Sequence, residues 1–213
     1  MSLPATARTI ASASCGEPPD KAQARSFPPI AAPDARVLVL GSMPGMASLR
    51  LQQCYGHPHN SFWKIMAEVL GFDAGLAYAQ RITALQGRQL AVWDVLASCR
   101  REGSLDTAIE PGSVVPNDFA GFMADHPGVI RICFNGATAE RLFRRHVLPG
   151  LALGSAVGLL RLPSTSPAHA GMPYADKLRA WQVVRPGLAQ AGQDTPSCAS
   201  DQDPTSSMPR TTW

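Results

Sequence analysis

Apolar and polar positions alternate along this chain in a regular succession of short aliphatic runs and longer helical patterns. Residues 35–42, "ARVLVLGS", are a continuous apolar run of the kind shown by a strand covered on both faces. Residues 60–72 place Phe62, Trp63, Ile65, Met66, Val69 and Leu70 at helical spacing, and residues 76–88 read as a second helix. A strand follows at 89–96, "QLAVWDVL", then a helix at 115–127 stopped by Pro127. Residues 128–136 read as a strand, 137–150 as a helix, 155–164 as a last strand, and 174–190 as a closing helix that Pro186 bends. This succession predicts an α/β fold, a three-layer α/β/α domain around a central, mostly parallel sheet of about four strands. In such sheets ligands bind beyond the carboxyl ends of the strands. Those ends are the loops at 41–59, 95–114, 135–137 and 163–173.

The pattern stops at both ends of the chain. Residues 1–25 are rich in Ala, Ser, Thr and Pro without a period, and residues 191–213 have almost no aliphatic side chains. Both are expected to be disordered tails around a single domain at 26–190, because they bury too little surface to offset chain entropy. A hydrophobic content of 45% is enough for the core of that domain. The formal charge of +3 does not by itself argue for a polyanionic partner. Only Lys21, Lys64 and Lys177 are lysines, so arginine carries most of the positive charge. Arginine suits phosphate through its bidentate fork, and a GC-rich genome gives the same bias. Cys15, Cys54, Cys99, Cys133 and Cys198 contain no C-x-x-C and suit neither zinc nor an iron–sulfur cluster. Reduced thiols in a cytoplasmic protein are expected. No apolar run approaches the ~18 residues of a membrane span, and the N-terminus lacks the apolar core of a signal peptide.

The candidate chemistry sits in the strand-end loops. Gly41-Ser42-Met43-Pro44-Gly45 lets backbone approach a ligand closely, or is an ordinary turn; it lacks the Gly-Lys-Ser/Thr ending of a phosphate loop. Asn60 precedes an amphipathic helix and suits an N-cap. His57 and His59 have no third ligand at metal spacing. Asn135, at the end of a strand and before Gly136, either caps the next helix or faces the crevice. Asp94 reads equally as a polar site residue or a cap. "LPSTSPAHA" (162–170) is a stiff, hydroxyl-rich loop suited to a polymer backbone, or a surface turn.

Together, "VLVLGSMPG", "YGHPHNSFW", "WDVLASCRREGSLDTAI", "FNGATAERLF" and "LPSTSPAHA" resemble the uracil-DNA glycosylase superfamily, and within it the hypoxanthine-DNA (DNA-deoxyinosine) glycosylase branch. The resemblance runs from about Phe27 to Leu188 and rests on the order and spacing of all five motifs. Mismatch-specific uracil/thymine relatives carry Asn, which positions the attacking water, where this chain has Met43. In the hypoxanthine branch the Asn of the second motif takes that role, which implies Asn60 here. Relatives also carry Asn-Pro-Ser in the final loop, where this chain reads Ser164-Thr165-Ser166-Pro167.

The resemblance implies a monofunctional, monomeric enzyme that needs no metal or cofactor. It would flip a deaminated base, hypoxanthine first, out of double-stranded DNA and hydrolyse its N-glycosidic bond. Asn60 and Asn135 are the implied catalytic residues, with Ser42, Met43, Tyr55 and Asn135 around the base. Gly45, His57, Ser164, Ser166 and His169 are the implied DNA contacts. A lyase would need an amine nucleophile; Lys64, one turn beyond Asn60, is expected to face solvent. The competing readings are a uracil or G:U mismatch glycosylase, and a DNA-binding module on the same fold that has lost catalysis with Met43. Convergence of Asn60 and Asn135 on one pocket beside Tyr55 separates the enzyme from the module.

Overall fold

The structure, a computed structural model, describes residues 23–187. Most of both predicted tails therefore lies outside the described residues. Four parallel strands form the centre: β2 (Val37–Gly41), β3 (Leu90–Asp94), β6 (Arg131–Asn135) and β7 (Gly158–Leu162), in the order β3-β2-β6-β7. Strand β2 is buried throughout because both faces of the sheet are covered. Val37 and Val39 point to one apolar cluster, with α2 (Phe62–Leu70), α3 (Tyr78–Gln86) and α6 (Tyr174–Trp181). Leu38 and Leu40 point to the other, with α4 (Phe119–Asp125) and α5 (Ala137–His146). The expected three-layer α/β/α arrangement with a four-stranded parallel sheet is the one observed.

Four elements are additional. Helix α1 (Met46–Leu51) lies within the first loop, and β1 (Gln23–Arg25), β4 (Leu96–Arg100) and β5 (Val115–Pro116) form a small antiparallel sheet in the order β1-β4-β5. Strand β1 comes from residues expected in the N-terminal tail. The predicted strand at 89–96 is divided at Val95. There Val95 N–H donates to the Gly41 carbonyl at 2.8 Å and Leu96 N–H to the Ser42 carbonyl at 3.2 Å, as the chain leaves one sheet for the other. Helix α4 starts later than predicted, where the Asp118 side chain accepts from Gly121 N–H at 2.9 Å. The closing helix ends at Trp181 and passes into a 3₁₀ turn at Gln182–Val184, so Pro186 follows the helix rather than bending it.

Candidate active site

The carboxyl ends of the parallel strands form a row. Gly41 pairs with Asp94, Leu40 with Phe134, and Asn135 with Leu162. Parallel strands are ~4.8 Å apart, so Asp94 and Asn135 flank Gly41 at roughly 10 Å from each other along the backbone row. A Cβ at Gly41 would lie 3.0 Å from the Tyr55 hydroxyl, and closer still to Asp94 Oδ1. The missing side chain thus admits two polar groups from different elements. Above the row lies a cavity of about 470 Å³. Every site residue named from the sequence lines it: Ser42, Met43, Gly45, Tyr55, His57, Asn60, Asn135, Ser164, Ser166 and His169.

Tyr55 occupies left-handed backbone, φ 55°, a conformation that few bulky residues adopt. Its neighbours hold it there. Cys54 N–H donates to Tyr78 Oη at 2.9 Å, the Cys54 carbonyl accepts from Trp63 Nε1 at 2.8 Å, and Gly56 N–H donates to Ser48 Oγ at 3.0 Å. The Tyr55 ring stacks on buried Phe62, with centroids 3.9 Å apart and planes at 20°. Its hydroxyl is buried beside the Asn135 side chain and makes no hydrogen bond of good geometry among the described residues.

Asn60 serves the start of α2, but one residue earlier than a formal N-cap, which is Ser61. Asn60 Oδ1 accepts from Phe62 N–H at 3.0 Å, and Asn60 N–H donates to the His57 carbonyl at 2.8 Å. The acceptor end of the amide is thereby fixed. Its Nδ2 makes no hydrogen bond among the described residues.

The loop after β7 is braced from two sides through buried Thr165. Asn135 Nδ2 donates to Thr165 Oγ1 and Thr165 N–H donates to Asn135 Oδ1, both at 2.8 Å. The Thr165 carbonyl accepts from Ser61 N–H at 3.1 Å and from Ser61 Oγ at 3.2 Å. Both ends of the Asn135 amide are therefore engaged, leaving one N–H and one lone pair. Ser164 and Ser166 accept backbone N–H bonds from Ser166 and Ala168, which leaves each hydroxyl proton free to donate. Buried Lys177 donates to the His169 carbonyl at 2.7 Å and ties down the end of the loop.

Under the first loop lies a charged cluster that single-residue reading largely missed. Ser42 Oγ donates to Asp106 Oδ2 at 2.7 Å. The buried Arg101 guanidinium stands 3.6 Å from Asp106 Oδ1 and donates to the Pro44 carbonyl at 2.5 Å. Burial raises the Asp106 carboxyl, opposed by the Ser42 hydrogen bond and by Arg101. Asp94 is pushed up to about 7 by burial, with the charge of Asp106 adding and Arg101 opposing. Asp94 caps no helix: neither carboxylate oxygen accepts a hydrogen bond among the described residues, and only its backbone carbonyl is bonded, by Asn117 Nδ2 at 2.8 Å. The signal for this cluster was an acid just before the 95–114 loop and another within it, together with Arg101, inside a motif read only as a whole.

His57 and His59 meet edge-on with ring centroids at 5.5 Å, and His57 Nδ1 accepts from His59 N–H. Among the described residues no three His, Cys, Asp or Glu side chains are grouped to hold a metal ion. Lys64 sits over the Tyr174 ring, 4.3 Å from its centroid. Neither Lys64 nor Lys177 lines the cavity, and Lys21 lies outside the described residues.

The family model of the uracil DNA glycosylase superfamily matches residues 28–185. The chain is 35% identical over 146 residues to a hypoxanthine DNA glycosylase of Methanosarcina acetivorans, covering 68% of this chain and 87% of that protein. It is 35% identical over 113 residues to a hypoxanthine DNA glycosylase of Methanosarcina barkeri, covering 53% of this chain and 70% of that protein. The solution structure of a candidate uracil DNA glycosylase from M. acetivorans superposes with a TM-score of 0.61 at 30% identity, over 76% of this chain and 99% of that one. With the parallel sheet, the strand-end cavity and the glycine loop in place, the match over residues 28–185 makes the chain a member of the uracil DNA glycosylase superfamily.

Proposed function

We propose that this protein is a monofunctional DNA repair glycosylase. It draws a deaminated base, hypoxanthine first, from double-stranded DNA into the strand-end cavity and hydrolyses its N-glycosidic bond. The observation that carries the reading is the convergence of Asn60, Tyr55 and Asn135 on one cavity, with the Asn60 amide already oriented by Phe62 N–H. The curated relatives are named for hypoxanthine, which favours that base over uracil. Extruding a base costs a few kcal/mol and least for one that pairs poorly. The protein must then stabilise positive charge on the sugar and negative charge on the base, and hold one water in line.

In this reading Asn60 Nδ2, with Oδ1 held by the helix, donates to the oxygen of the attacking water. Tyr55 stacks on the extruded base with Phe62 backing its ring. Met43 supplies apolar wall in place of a second water-binding amide. Asn135 acts through Thr165, holding the 163–169 loop against the DNA, and Gly45, His57, Ser164, Ser166 and His169 meet the backbone. The placement of Lys64 and Lys177 supports hydrolysis without a lyase step. The enzyme acts as a monomer in the cytoplasm. Cys54, Cys99 and Cys133 are buried and free, and among the described residues no helix is long and apolar enough to cross a membrane.

The test is base release from duplexes carrying hypoxanthine, uracil or xanthine, in buffer with chelator and no added metal. Hypoxanthine is expected to be released fastest and the abasic strand to stay unbroken. Absence of release from all three duplexes would return the chain to the DNA-binding alternative. Faster release of uracil would make it a uracil glycosylase.

A further inference from the structure

Asp94 is the one buried acid in the cavity with nothing to do in the chemistry above. It ends β3, faces the cavity across Gly41, and takes no hydrogen bond on its carboxylate from any described residue. Burying a carboxylate without a donor is costly, so an unsatisfied one in a ligand cavity calls for a donor that arrives with the ligand. Of the other polar side chains nearby, Asn135 bonds Thr165, Ser42 bonds Asp106, and Arg101 donates to Pro44 and forms an ion pair with Asp106, while the Tyr55 hydroxyl and Asn60 Nδ2 make no hydrogen bond to Asp94. The glycine loop has the opposite imbalance. The carbonyls of Gly41, Ser42, Pro44 and Gly45 all accept hydrogen bonds, from Val95, Leu96, Arg101 and Leu49. The N–H groups of Ser42 and Met43 have no acceptor among the described residues. The cavity therefore offers an acceptor-only carboxylate beside unpaired backbone donors.

That pattern complements one kind of base edge. An amino-bearing base presents a ring-nitrogen lone pair beside an NH₂ group. Deamination reverses both, leaving a ring N–H beside a carbonyl. We propose that Asp94, as a carboxylate, is the specificity-determining residue: it accepts the ring N–H of the flipped deaminated base, N1–H in hypoxanthine, while the amides of Ser42 and Met43 donate to the adjacent carbonyl oxygen. The inference rests on the glycosylase reading and adds the group that distinguishes hypoxanthine from adenine. An amide at this position would rotate to suit either base, whereas a carboxylate has only lone pairs to offer. Adenine would set its N1 lone pair against them. Guanine shares N1–H and O6 with hypoxanthine, so Asp94 does not exclude it; that task falls on whatever meets its 2-amino group.

Protonation is the one way this carboxyl acquires a donor. The groups that act on it are Asp106, which raises it, and Arg101, which lowers it; Tyr55 and Cys54 lie close by but ionise far higher, Cys54 at about 12. Preference for hypoxanthine should therefore weaken in mild acid, where the neutral acid can donate to a bare ring nitrogen.

The experiment is single-turnover base release between pH 5.5 and 8.5 from duplexes carrying hypoxanthine or unsubstituted purine, which lacks both N1–H and O6. In the wild type the hypoxanthine-to-purine rate ratio should rise about tenfold per pH unit on the acid side and level off above the Asp94 transition, as for one titrating group. In Asp94→Asn the ratio should be flat with pH and at least tenfold smaller than the wild-type plateau. Asp106→Asn should keep the transition and move it to lower pH, since it removes the charge that raises Asp94. A wild-type ratio independent of pH overturns the proposal without any variant. So does an Asp94→Asn ratio equal to wild type, or a flat profile in Asp106→Asn, which would assign the titration to Asp106. Release of neither base by the wild type would instead overturn the glycosylase reading and this inference with it.

Discussion

The Tyr55 hydroxyl and the Asp94 carboxylate converge over the α-carbon of Gly41, where any side chain would collide with both. Neither group makes a hydrogen bond of good geometry among the described residues, the Asn135 side chain being the donor that comes near the Tyr55 hydroxyl. A core built only for stability would not place a hydroxyl and a carboxyl there. A buried polar group left unpaired costs about 1–3 kcal/mol, so the site carries a stability cost at its centre.

Tyr55→Phe should expose that cost. It keeps the stacking on Phe62 and removes only the unpaired hydroxyl. The variant is expected to be as stable as wild type, or up to ~1 kcal/mol more stable, while hypoxanthine release stays close to wild type because the stacking ring is kept. Urea unfolding and single-turnover assays on one preparation check this. A clear loss of stability would mean that the hydroxyl has a partner within the folded protein.

Asn135 and Thr165 should behave as one unit. Thr165→Val removes the Oγ1 acceptor and Asn135→Ala removes both bonds; each is expected to cost about 1–3 kcal/mol. The double variant should cost less than the sum, with a coupling of about 0.5–3 kcal/mol. Additive losses in a double-mutant cycle would show that Asn135 does not hold the loop through Thr165.

The central sheet was legible because parallel strands buried on both faces read as unbroken aliphatic runs. The small antiparallel sheet was not. No turn residue separates β3 from β4, and the break at Val95 is made by carbonyls of Gly41 and Ser42, far away in sequence. At the site, loop positions were readable from topology alone, but partnerships were not. Asn135 read as either a helix cap or a crevice residue, because Thr165, which occupies its amide, comes from another crossover. Asp94 was undecided for a similar reason: its environment is made by Gly41, Tyr55 and Asp106. The two readings of Asn60 turned out to be compatible, since one end of its amide serves the helix and the other is free.

Asn60→Ser separates those two ends. A serine hydroxyl can still accept from the start of α2, so the loss of stability should stay below ~1 kcal/mol. The Nδ2 donor is lost, and base release should fall roughly ten- to a thousand-fold, the scale of one transition-state contact. Stopped-time base release and thermal unfolding on the same protein decide it. Wild-type turnover in the folded variant would leave Asn60 as a helix-capping residue only.

The Asp94 carboxyl makes stability itself pH-dependent, with a definite sign. Its folded pKa of about 7 lies above that of an ordinary Asp, about 3.9. Between those values the folded protein keeps a proton that the unfolded chain releases. Stability should therefore fall as pH rises through this window, by at most about 1.4 kcal/mol per pH unit from this group, and level off above it. Asp106 is raised too and acts in the same direction. Asp94→Asn removes the Asp94 share, so its stability should match wild type near pH 4 and exceed it at pH 8. Urea midpoints at half-unit steps from pH 4 to 8.5 test this, and parallel curves for the two proteins would contradict it. A variant more stable at pH 8 but poorer at telling hypoxanthine from purine would show that the carboxylate is kept for recognition against its own cost to the fold.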